Sequence, residues 1–139
     1  MPREPEIETV LVCDDIREEI THKLILIGVY SGNFVVPEFP SNFFLAFYFT
    51  MTANDPGEFE LNLRLSLPKT RPEMYMRVKF AVPALEDTSL AGDQFGTFTP
   101  KIPITIPAPG ELVLSARWGE QGKFRPVLRK SIILAPPGG

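Results

Sequence analysis

At 139 residues with 44% hydrophobic and 22% charged side chains, the chain is the size of one ordinary globular domain. A chain of this length buries roughly 68–70% of its unfolded surface, so it folds without a staple of disulfides or metal. The net charge of −3 argues against a dedicated nucleic-acid surface, and the single cysteine, Cys13, excludes an internal disulfide.

The N-terminal stretch MPREPEIETV is polar and acidic, without the apolar run of a signal peptide. No run of about 18 apolar residues is present, so no membrane span is expected. The default compartment is the cytoplasm.

Fifteen prolines and ten glycines are spread along the chain. They leave no helix-length window with a 3.6-residue apolar period. The alternation of strands takes its place. In chain order the first strand is predicted at Ile7–Cys13. Asp14–His22 reads as a helix of one or two turns, or as an acidic loop, with its carboxylates placed early. Lys23–Tyr30 is a continuous apolar run, as for a strand covered on both faces. Asn33–Val36 is a short companion, and Phe44–Thr52 is dense in aromatics. After the turn signal Asn54-Asp55-Pro56-Gly57 comes Glu58–Leu67. There Phe59, Leu61, Leu63, Leu65 and Leu67 alternate with Glu58, Glu60, Asn62, Arg64 and Ser66, giving one oily and one wet face. Met74–Val82 alternates again. Thr97–Ile106, Glu111–Gly119 and Lys123–Leu134 complete the series.

Regularly spaced strands without crossover helices predict an all-β fold: a two-layer antiparallel β-sandwich, immunoglobulin-like or C2-like, of about eight strands. Residues 1–135 form the expected domain, with 136–139 as a mobile tail. Pro103, Pro107 and Pro126 place their strands at sheet edges, because proline cannot donate to a ladder.

Little chemistry is on offer. His22 is the only histidine and stands beside no nucleophile motif, so it reads as an exposed loop residue. Cys13 reads as a packing residue, because Asp14 and Asp15 disfavour its thiolate. Zinc needs more His and Cys ligands than are present. No glycine loop for phosphate is found. A calcium site of the C2 type would draw on Asp14, Asp15, Asp55, Asp87 and Asp93 from separate loops. No D-x-D-x-D spacing supports it. A paired-carboxylate hydrolase carries low weight, and no cofactor is expected.

Charge is uneven. Residues 1–22 hold seven acids and two bases, and residues 111–139 hold five bases and two acids. Attraction between the two ends, within a chain or between chains, is expected. Asp14, Asp15, Arg17 and Glu18 on one side and Arg117, Arg125 and Arg129 on the other are the candidate interaction residues. The expected partner is a protein or a second copy, such as a homodimer, and not nucleic acid.

The block Cys13–Tyr30, CDDIREEITHKLILIGVY, resembles the opening signature C-D-D-x-R-x-E…K-L-x-L-x-G-V-Y of an uncharacterised bacterial family of unknown function. Val36-Pro37-Glu38-Phe39-Pro40 resembles its proline-bearing segment. The resemblance is close over the first third of the chain. It implies a compact β domain and no activity. The sequence therefore predicts a non-catalytic interaction or structural module, with a calcium- or ligand-binding C2-like domain as the alternative.

Overall fold

The computed structural model describes residues 2–84 and 94–136. Eleven strands lie among them: β1 (Glu6–Cys13), β2 (Asp15–Glu18), β3 (Leu24–Ile27), β4 (Phe34–Val36), β5 (Ser41–Thr52), β6 (Gly57–Ser66), β7 (Met74–Val82), β8 (Gln94–Phe98), β9 (Ile102–Ile106), β10 (Gly110–Trp118) and β11 (Arg125–Leu134).

The strands make an all-β sandwich of two main sheets. In the first, β5 has β1 along one edge and β8 and β9 in succession along the other. The second runs β4-β11-β10-β6-β7. The alternation in β6 is what joins them. Leu61, Leu63 and Leu65 are buried against Phe47, Phe49 and Met51 of β5 and Leu112 and Leu114 of β10. Each such side chain contributes roughly 1.5–3 kcal/mol by leaving water. A second cluster of Ala53, Phe59 and Val82 closes one end, with Trp118, Phe80 and Phe95 packed on it.

Four expectations change. Asp14–His22 is not a helix or loop but half of a hairpin, with β2 and β3 paired antiparallel from Asp15↔Ile27 to Glu18↔Leu24. The segment is too short to offset helix nucleation, whereas the ladder supplies hydrogen bonds at once. Lys23–Tyr30 is not covered on both faces: Ile25 and Ile27 are 43% and 39% exposed, and the strand stops at Gly28.

Thr97–Ile106 divides into β8 and β9. Thr99 marks the break. Its N–H donates to the Phe47 carbonyl at 2.9 Å, and its hydroxyl accepts from the Phe47 N–H at 2.9 Å. Pro100 and Pro103 prevent an unbroken ladder here. These divisions and the hairpin raise the count above the expected eight. Finally, β4 pairs with β11 in parallel, through Phe34↔Ile132 to Val36↔Leu134, so the sandwich is antiparallel except at this edge.

The prolines bear out the edge expectation only in part: Pro103 is on an edge strand, Pro107 falls in the turn between β9 and β10, and Pro126 is on β11, which lies between β4 and β10. β9, with Pro103, has β5 as its one neighbour among the described residues. Pro126 lies on the part of β11 that β4 does not reach. Of the expected tail, Pro136 is exposed and 137–139 lie outside the described residues.

Candidate functional site

The β2–β3 hairpin belongs to neither main sheet. It forms an arm whose β2 stays near β5. Alternation gives the arm two faces. Ile16, Leu24 and Leu26 share one face with Glu18, and these three apolar residues are half-buried. Asp15, Arg17, Ile25 and Ile27 share the other, which is open. At the tip the chain reverses over Glu19–Lys23. The Glu19 N–H donates to Lys23 O and the His22 N–H to Glu19 O, both at 2.8 Å. His22 takes a left-handed φ of 65°. Ile20, at the tip, is fully exposed. Val29, just beyond Gly28, is also exposed.

The root of the arm is held by the residues of the CDDIREE…KLILIGVY block. The Asp14 N–H is shared between the carbonyls of Ile27 (2.9 Å) and Gly28 (3.2 Å). The Tyr30 hydroxyl donates to Asp14 Oδ1, and the Tyr30 N–H donates to Val12 O at 2.9 Å. The Tyr30 ring stacks on Phe34 with centroids 4.0 Å apart and planes 16° from parallel. Gly28 has φ 69°, and a Cβ there would collide with the Asp14 carboxylate. Cys13 is fully buried, its thiol directed at the carbonyls of Asp15 and Ala46. Burial pushes this thiol's pKa up, and the charges of Asp14 and Asp15 push it the same way. Burial, then Asp14, raises Tyr30 above the ordinary phenol range. Both groups therefore stay protonated near neutrality and serve as donors at the root.

The candidate calcium ligands are engaged separately. Asp14 holds Tyr30. Asp15 accepts from the Ile16 N–H at 2.9 Å and pairs with Arg17 at 3.4 Å. Asp55 accepts from both the backbone and guanidinium of Arg3, which hold its carboxyl below the usual range. Among the described residues no three His, Cys, Asp or Glu side chains converge as metal ligands. Asp87 and Asp93 lie outside the described residues.

The acidic and basic ends line one groove, with no ion pair between them among the described residues, and the expected acids are not in it. Glu4 and Glu6 face Arg117, Lys123 and Arg125 across an open groove of about 730 Å³, with Ile7, Trp118 and Val127 among its walls. Asp14, Asp15 and Glu18 are on the arm. Glu18 pairs with His22 at 3.2 Å. Arg129 pairs with Glu111 at 2.7 Å.

Sequence reasoning missed Arg64, which alternation assigns to an ordinary wet face. Its guanidinium lies 4.8 Å from the centre of the Phe124 ring, and that of Arg117 lies 4.6 Å from the same centre. Phe124 between Lys123 and Arg125 was the available signal, but its distance in sequence from Arg64 hides the contact.

Residues 8–121 match a family of unknown function, DUF6941. The chain belongs to this family. The match runs from within β1 to the middle of the β10–β11 turn, well past the opening block that carries the resemblance in sequence. It includes the whole arm and leaves Phe124 and β11 outside. The curated proteins contain no match to the chain. No helix among the described residues is long and apolar enough to cross a membrane.

Proposed function

We propose that this DUF6941 chain is a non-catalytic docking module that engages a protein partner through the β2–β3 arm. One observation carries the reading: a rigidly rooted hairpin stands outside both sheets with Ile20, Ile25, Ile27 and Val29 exposed. A two-stranded ribbon is marginal alone, and adjacent exposed apolar side chains mark interaction surfaces more than solvated loops do. The segment from Asp14 to Lys23 adds four acids against Arg17 and Lys23. The fitting partner therefore presents an apolar surface with a basic rim. The groove bounded by Arg117, Lys123 and Arg125 has this character on its basic side, so a second copy is one such partner. The setting is bacterial and cytoplasmic in this reading. The signature resemblance supports the first, and the protonated, buried Cys13 suits the second.

The test uses Ile25→Asp with Ile27→Asp. Wild-type protein is expected to run above monomer mass in analytical ultracentrifugation, or to retain a partner on a column. The double variant should lose that association while its melting temperature holds. Monomeric wild-type protein without a retained partner, or a double variant that keeps the association, overturns the reading.

A further inference from the structure

The outer face of the second sheet carries a site formed without residues of the arm, though its Arg117 also borders the groove described above. Ser115 sits on β10 between the outward positions Val113 and Arg117, opposite Arg64 of β6. It faces outward, yet it is 2% exposed. The β10–β11 turn folds back over this face. Asn62 Nδ2 donates to the Gly119 carbonyl, and the Gly119 N–H donates to Glu60 O at 2.8 Å. These bonds tie the turn to β6. Phe124 follows, with the guanidinium groups of Arg64 and Arg117 over its ring. Tyr75 of β7, 64% exposed, meets Phe124 with centroids 6.0 Å apart.

Two guanidinium groups share one ring. The Nε atoms of both are shielded and have no hydrogen-bond partner among the described residues, so the terminal nitrogens are the donors a ligand would meet. Elsewhere on this face carboxylates absorb the cations. Glu60 lies 3.2 Å from Arg77, and Glu73 lies 3.1 Å from Arg71. Glu73 also approaches Arg64 at 3.4 Å, misaligned for a hydrogen bond. Arg117 has no carboxylate within ion-pair distance among the described residues.

A guanidinium held over an aromatic ring keeps its terminal N–H groups available to donate. A carboxylate saturates one such fork. A tetrahedral dianion has enough oxygens for two. We propose that Arg64, Arg117 and Phe124 form a binding site for the phosphoryl group of a small phosphate monoester, with Tyr75 offering an aromatic surface to the group esterified to it.

The probe is phenyl phosphate, titrated into the full chain and followed by backbone amide shifts in NMR. The expected result is saturable binding centred on residues 64, 75, 117 and 124, with inorganic phosphate competing but binding more weakly. Arg117→Gln should weaken binding about tenfold or more, as loss of a charged hydrogen-bonding partner does. Arg117→Lys, which keeps the charge but not the fork, should recover only part of it. Arg129→Gln, on a different ion pair, should bind as wild type does. Phe124→Leu keeps both charges and should still bind more weakly, because the forks lose their support. Absence of saturation at millimolar phenyl phosphate overturns the proposal. So does equal affinity of the folded wild-type and Arg117→Lys proteins. Binding of a single-stranded oligonucleotide without binding of phenyl phosphate also overturns it, in favour of a backbone-tracking basic face.

Discussion

Gly28 and Asp14 meet at the root of the arm with no space between them. A methyl group at position 28 would enter the Asp14 carboxylate, and φ of 69° strains any side chain there. Gly28→Ala should therefore cost about 1–3 kcal/mol in urea denaturation. The loss should come with a change in the near-ultraviolet signal of Tyr30, whose hydroxyl Asp14 holds. A neutral substitution would show that the root relaxes freely and does not fix the arm. A glycine within an apolar strand run fits a bulge or a close approach, and here the side chain of Asp14 packs against it. The partner in the approach is not legible in the sequence, because Asp14 is read there with its acidic neighbours. Its own hydrogen bonds, to Tyr30 and to the end of β3, separate it from them.

The elements differ in how much of themselves they display in sequence. β6 is readable because its two faces see an oily core and water, so the pattern is repeated over ten residues. β2 and β3 have four residues each. Their ladder is local: no alternation marks β2, and β3 reads as a run buried on both faces although one of its faces is open. β8 and β9 read as one strand because each continues the apolar row of the other. Only the hydrogen bonds of Thr99 to Phe47 show the break. The same contrast predicts dynamics. The arm amides at Ile16 and Leu26 belong to a two-stranded ribbon outside the core, whereas Leu63 lies in the middle of a five-stranded sheet. Hydrogen exchange should open the arm well before β6. Simultaneous exchange would make the arm part of the cooperative core and remove the reason to see it as awaiting a partner.

For the molecule as a whole, the two layers and their common core follow from strand pattern and composition. The candidate sites do not, because each joins distant segments. Arg64 and Arg117 meet on Phe124 through a turn tied to Asn62, and Glu4 and Glu6 face a groove whose far wall begins after residue 115. Charge counts for the two ends anticipate that they approach, but not which acids do so. Charge acts over a segment; recognition depends on which side chain a bend brings into line.

The parallel pairing of β4 with β11 also sets a timetable. Phe34 and Val36 are made long before their ladder partners Ile132 and Leu134, which belong to the last strand described. β11 also lies between β4 and β10. Until it arrives, β4 has no sheet to join, and the buried side of β10 lacks its flank. Local hairpins such as β6–β7 can form as they leave the ribosome, but closure of the second sheet waits for nearly the whole chain, the pattern that slows folding in proteins rich in distant contacts. A chain ended before Arg125 should accordingly show strand content without a cooperative thermal transition. A sharp transition in that truncated chain would mean that the earlier strands close the sandwich by themselves. Timing is thus written into an edge of the sheet: the last of the described strands is the one that locks the earlier pieces into place.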